Sequence, residues 1–426
     1  MNISFQMINL PRDGSCRRVL PAERGMSLVE LMVGIAVAMI SILVVMSTVI
    51  TAQQQNKTTI GGSDAQTSGT VASYMIEREL RMAGSGLNFP FSVTLNSDAF
   101  CEIHAHFAGD DFTLSMIPVG ITSQADGSDA ITVFYGGTSS GSGLPNSSLA
   151  STYDNSAGVS PTFPLNSNGI GFGPGELFLV APVVDGANQI GDDRPDCFLG
   201  ENTAAVDTSP LTTSGTYLLP RVSGDQQIPQ FDRRNVSGLP DGGLPLATTG
   251  VFVGQPLRFN GGAIGVSDIV FNLGGRPEAD AQNRLTCAMG DCAVNKTYAI
   301  SGGRLTITEN LLPPALRTAW EVADNIVMLR AQYGKDTDDD GVVDAWDASL
   351  NAGGPMALWS EWNQVRAVRM AVVARSKTRD PAVVTPATVA LWPGTNWTLP
   401  DMEARHYRYR TYQTIVPVRN NLWRPE

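Results

Sequence analysis

From Leu31 to Ile50 the chain reads LMVGIAVAMISILVVMSTVI, uncharged and apolar except for Ser41, Ser47 and Thr48. At about 1.5 Å per residue, such a run makes a helix of ~30 Å, the thickness of a bilayer core. Between Gln53 and Ala83 the pattern changes to a helical period. Val71, Met75 and Met82 fall near one face, with Ala72, Ile76 and Leu80 beside it. Glu77 and Arg81 stand four apart in the favourable order. Gly61, Gly62 and Gly69 weaken the middle of this stretch, and Gly84 and Gly86 close it. The pattern predicts that the helix continues beyond the membrane.

Beyond Leu87 the period shortens to two. Asp129 to Tyr135 and Glu176 to Val180 read as strands. So does Ala323 to Tyr333, with Val327, Leu329, Ala331 and Tyr333 on one face. Val365 to Arg375 alternates, with Val368, Met370, Val372 and Ala374 opposed to Arg369 and Arg375. Tyr407 to Arg419 supplies the last strand or pair. Residues 140–290 show short apolar runs among scattered Pro, Gly and Asn, and read as an insertion that enlarges the body. The fold class expected is α+β: a long N-terminal helix on an antiparallel β-rich domain.

Charge sets the orientation. Arg12, Arg17, Arg18 and Arg24 precede the apolar run, and no Lys or Arg follows before Lys57. This bias keeps the first residues in the cytoplasm and sends the body across. Ile50-Thr51-Ala52 is a poor site for ordinary signal cleavage, because Ile stands where a small side chain belongs. The whole chain carries a net charge of −12, which argues against nucleic-acid binding. Only 16% of residues are charged, and the 43 glycines and 26 prolines fit a loop-rich body.

A carboxylate heads the apolar run: Arg24-Gly25-Met26-Ser27-Leu28-Val29-Glu30. An ionisable group there is costly and marks function. This segment resembles the class III signal of type IV pilins and pseudopilins. The resemblance implies a prepilin peptidase cut between Gly25 and Met26, methylation of the new Met26 amine, and retention of Glu30 for assembly. Residues 1–25 are then a leader, 26–52 the transmembrane half of the helix, 53–86 its outer half, and 87–426 the globular domain. Two departures exist: Met26 stands where the family has Phe, and the leader is long. A plain signal anchor is the alternative.

Of five cysteines, Cys16 lies in the leader. Cys101, Cys197, Cys287 and Cys292 remain, an even number suited to an oxidising compartment. Cys287 and Cys292 enclose Ala-Met-Gly-Asp, which suggests a local staple and leaves Cys101 with Cys197. The C-x₂-C spacing of zinc sites is absent.

A second motif runs from Asp336 to Asp347. Asp336, Asp338, Asp340, Asp344 and Asp347 occupy positions 1, 3, 5, 9 and 12 of a twelve-residue loop, with Gly341 at position 6. This is the ligand spacing of an EF-hand-like calcium loop, to which Val342 would add its backbone oxygen. Asp347 is shorter than the usual bidentate Glu, so Ca²⁺ affinity should be weak.

NIVMLRAQYGKDTDDDG, VRAVRMAVVARS and YRYRTYQTIVPVRN resemble the PilW group of type IV pilus minor pilins, as does GSDAITVFYG at 127–136. That resemblance implies a low-abundance subunit that primes fibre assembly with other minor and major pilins. It implies residence in the inner membrane with the body in the periplasm, then in the pilus at the cell surface. A place in a tip complex beside a large adhesin is its further implication. A minor pseudopilin of type II secretion is the neighbouring reading.

Enzyme readings find little support. His104 and His106 share a strand face without a third ligand placed by spacing, and no nucleophile–base signature is present. Glu361 between Trp359 and Trp362 could suggest a carbohydrate-binding or hydrolase cleft, but these aromatics read as burying the strand that follows. A membrane-anchored binding or hydrolytic ectodomain is the alternative of another class.

Overall fold

The structure is a computed structural model. It describes residues 27–87, 100, 102–107, 110–137, 146–148, 162–166, 176–181, 196–201, 217–220, 258–259, 262–263, 269–279, 285–287, 291–312, 317–351 and 358–418. The chain divides into two units, Met1–Thr59 and Ile60–Glu426. Helix α1, Leu28–Met82, contributes its first part to one and its last part to the other.

In the second unit α1 buries Ala65, Ala72, Ile76, Leu80 and Ala83. Steps of three, four and seven keep these positions on one stripe of the helix. Val71 and Met82 face solvent and Met75 is only half-buried, so the stripe lies one position round from the face expected of them. Ile76 and Leu80 fill the core from this stripe, and the three alanines flank them.

A five-stranded sheet packs under the stripe. Its strands are β1 (Val119–Ser123), β2 (Asp129–Tyr135), β3 (Val294–Ser301), β4 (Arg304–Glu309) and β5 (Trp320–Asp324), paired antiparallel in that order. A four-stranded antiparallel sheet follows, built from β6 (Ile326–Lys335), β7 (Ala345–Asp347), β8 (Val365–Arg375) and β11 (Tyr409–Pro417), in the order β7-β6-β8-β11. Between β8 and β11 lies the hairpin β9 (Thr388–Trp392) and β10 (Thr395–Thr398). One core joins α1 to both large sheets through Ile76, Leu80, Ile131, Val133, Tyr298, Leu329, Tyr333 and Val368.

Two side chains link the sheets. Asp129 accepts the Ala331 amide at 2.9 Å, and the Tyr333 hydroxyl donates to the Val119 carbonyl at 3.0 Å. They satisfy one backbone group on β6 and one on β1 that would otherwise be buried without partners.

The segment read as one strand from Ala323 breaks at Asn325, whose φ of 59° turns the chain between β5 and β6. A bulge between Ile326 and Met328 then changes the parity. Leu329, Ala331 and Tyr333 join the main core with Ile326, while Val327 packs with Met328 against the β9–β10 hairpin. On β8 the main core takes Val368, Met370, Val372 and Ala374, and the opposite face is covered as well. Ala371 and Val373 meet Leu391 and Trp392 there.

Segments between 146 and 275 join 102–107 and 110–115 in a six-stranded sheet. Its order is 110–115, 102–107, 196–201, 176–181, 269–275 and 146–148. The 102–107 and 196–201 strands run parallel and the other pairs antiparallel. This sheet has its own core, which includes Phe134 from the reverse face of β2. The sheets meet where Gly137 donates to the Leu273 carbonyl at 2.8 Å and Gly275 to the Asp291 carbonyl at 2.9 Å. Gly274, at φ +90°, is required there: a Cβ would lie 2.4 Å from the Gly137 oxygen. A disulfide between Cys287 and Cys292 closes the loop beside this junction.

Candidate functional site

Three constellations carry the chemistry. The first is the head of α1. Glu30 sits in the first helical turn, where the free N–H groups of the helix favour a negative charge. Leu28–Ile50 is long and apolar enough to cross a membrane, and none of it is buried within the protein. Its hydroxyl side chains are satisfied internally. The hydroxyls of Ser41, Ser47 and Thr48 each donate at 2.8 Å to carbonyls one turn back, on Val37, Val44 and Val45. Residues 1–26, with Gly25 and Met26, lie outside the described residues, as do Cys101 and the side chains of Cys197, His104 and His106.

The second constellation seats α1 on the sheets. Tyr412, on β11, lays its ring on Gly69, where a Cβ would stand 2.0 Å from Cε2. Its hydroxyl donates to the Gln66 carbonyl at 3.1 Å, next to that of Ala65 at 3.4 Å. The glycine that weakens the helix is therefore the notch that receives the last strand. Sequence periodicity gave no sign of this, since the partners are 343 positions apart in sequence (69 and 412).

Near the helix end, buried Glu79 accepts a hydrogen bond from the Tyr135 hydroxyl and pairs with Arg78 at 3.0 Å and Lys296 at 3.8 Å. Burial first, and then Glu79, push the Tyr135 phenol well above its ordinary range. Glu309, on β4, is buried close by and accepts the amides of Asn295 at 3.1 Å and Leu311 at 3.2 Å. Burial pushes its carboxyl up to about 7, against the opposing pull of Lys296 and the two amides.

The third constellation is the loop between β6 and β7. Asp339 and Gly341 have φ of 60° and 86°, which bend the backbone back on itself. Carboxylate oxygens of Asp336, Asp338 and Asp340 come within 4.8 Å of one another. Asp336 is buried and accepts the amides of Asp340 at 3.2 Å and Gly341 at 2.9 Å. Arg366 reaches in from β8, with Nε 2.9 Å from Asp336, and also pairs with Asp339. Burial raises the Asp336 carboxyl, but Arg366 and the two amides outweigh it and hold the group below its usual range.

Asp338 is raised instead, first by Asp340 and then by Asp344. Asp344 turns its carboxylate to the Thr337 amide at 2.7 Å. Asp347 pairs with Lys335 at 2.8 Å, and Lys335 also holds Glu361 at 2.6 Å. Of the six residues expected around an ion, the structure gathers Asp336, Asp338 and Asp340. Arg366 is a partner that the loop spacing could not reveal. Val342 is exposed at the tip.

Residues 299–420 match the family model of the Type IV Pilus-assembly protein W, PilW. Over this segment, less than a third of the chain, the protein is similar to that family. No curated protein and no solved structure matches the chain. The matched segment takes in the end of β3, then β4 to β11, and so includes Tyr412 and the acidic loop. The fourth motif, GSDAITVFYG at 127–136, lies outside the match. It is β2, whose Asp129 caps the PilW strand β6 and whose Phe134 faces the other core.

Proposed function

We propose that this chain is a PilW-family minor pilin, a structural subunit that primes type IV pilus assembly with other minor and major pilins. One observation carries the reading. The PilW segment forms the sheet on which the outer part of α1 is seated, and the same helix begins with Glu30 at the head of an apolar span. A carboxylate in that position needs a partner once it leaves the interface. The free amine of Met26 on a neighbouring subunit, released by a prepilin peptidase cut after Gly25, supplies one. Pairing would set the stagger between helices as subunits leave the inner membrane for the fibre. In this reading the body faces the periplasm before assembly and the tip of the fibre, beside an adhesin, afterwards.

Glu30→Ala tests it. The variant should be made and inserted in the membrane like the wild type, yet be absent from sheared pili, and cells carrying it should show few pili. Wild-type piliation would sink the reading.

We further infer that the acidic loop binds Ca²⁺ through Asp336, Asp338 and Asp340, with Asp344 and the Val342 carbonyl able to complete the set. The mutual repulsion that raises Asp338 is relieved by a cation, which supports this. The donors are all oxygens, as a hard cation requires. Asp347 is engaged by Lys335, which weakens the expected affinity to the order of 0.1–1 mM. Millimolar calcium should raise the melting temperature of the wild type and leave an Asp338→Asn, Asp340→Asn double variant unmoved. An equal response in both would exclude the loop.

A further inference from the structure

The segment from Arg375 to Arg410 reverses the charge of the chain. It holds six Arg and Lys against three acidic residues, whereas the whole chain has 29 against 41. Arg375 and Arg410 stand on the ends of β8 and β11, and the segment's other charged residues lie in two loops, 376–387 and 399–408, which are bound into one body. Ser376 donates its amide to the Arg408 carbonyl at 2.8 Å, Asp380 to the His406 carbonyl at 2.7 Å, and Val384 to the Arg405 carbonyl at 3.0 Å. Arg379 pairs with Glu403 and Arg408 with Asp380 at 2.9 Å. Lys377 and Arg410 are exposed and form no ion pair among the described residues. Apolar side chains stand out from the same loops: Val383 is 45% exposed, Val384 37% and Met402 60%. Exposed cations interleaved with exposed aliphatic groups suit an anionic lipid surface, where the cations meet headgroups and the aliphatic groups enter the interface.

The position of these loops selects the surface. Tyr412 touches α1 at residues 65 to 69, while Ser376 packs against Gly61. Moving along β11 from Tyr412 toward Arg408 therefore moves back along α1 to the point where the chain enters the second unit. Only residues 51–60 separate that point from the end of the apolar span at Ile50. Even fully extended, ten residues reach no more than about 36 Å. We propose that this end of the second unit is a docking surface for the anionic headgroups of the membrane that holds the chain's own span. The proposal rests on the membrane-anchored reading above.

Full-length protein reconstituted in lipid nanodiscs tests it by hydrogen exchange. Nanodiscs of phosphatidylcholine alone are compared with nanodiscs containing phosphatidylglycerol. Amides of 376–387 and 399–408 should exchange several-fold more slowly in the anionic discs, and high salt should remove the difference. Lys377→Glu with Arg410→Glu should abolish it without lowering the melting temperature, since each cation near an anionic surface strengthens attachment about five-fold. Equal exchange in the two discs, or protection that survives the double variant and high salt, overturns the proposal. A chain that fails to enter nanodiscs at all overturns the anchoring itself, and the two failures are read separately.

Discussion

A glycine inside a helix costs roughly 1 kcal/mol relative to alanine, and Gly69 shows what outweighs that cost. The ring of Tyr412 occupies the space a Cβ would need. Gly69→Ala is therefore expected to destabilise the full-length protein in detergent by about 1–3 kcal/mol, the usual cost of overpacking. In a Tyr412→Ala background the same change should become stabilising, by up to about 1 kcal/mol, because only the propensity remains. A thermal double-mutant cycle reads this, and the same sign in both backgrounds would refute the seat.

Glu309 gives a second prediction at this scale. Its native value of about 7 exceeds the ordinary 4.5, so between these the folded state holds the proton more tightly than the unfolded chain. Its contribution to stability thus grows as pH falls from about 7 toward 4.5, and is lost as pH rises through 7. Glu309→Gln should flatten the stability profile across that window, as followed by thermal melts. A parallel profile in both proteins would contradict the assignment.

At the scale of elements, legibility followed the range of the interaction. The apolar span, β2 and β8 were readable because a residue's neighbours in sequence settle its period. The break at Asn325 was not, because one left-handed residue and a bulge reset the parity of β6. The buried stripe of α1 was misplaced by one position: Val71 and Met82 are exposed, and the contact is made by Ile76 and Leu80 together with Ala65, Ala72 and Ala83. The acidic loop was legible as spacing, but its counter-ions Arg366 and Lys335 belong to neighbouring strands. The disulfide gives a prediction for the junction between sheets. Replacing Cys287 and Cys292 by serine removes a short closure that stabilises by about 2 kcal/mol. The cost should appear as faster exchange of the Gly275 and Ala293 amides, with the helix seat around Tyr412 unaffected. Exchange that accelerates equally at both places would contradict a local role.

At the scale of the whole molecule, α1 begins with a span apolar and long enough to cross a membrane and ends seated on the segment that matches the PilW model. The acidic loop follows the end of β6 that carries Lys335, while the basic loops lie at the opposite end of the sheet, beside Arg375. The central claim is that Glu30 serves fibre assembly after the chain has been cut before Met26. Mass spectrometry of the mature N-terminus, from the membrane fraction of cells that process other pilins, tests it most directly. The account predicts a chain beginning at N-methylated Met26. A chain that retains Arg24-Gly25 in those cells would make the helix a plain anchor and contradict the assembly role of Glu30.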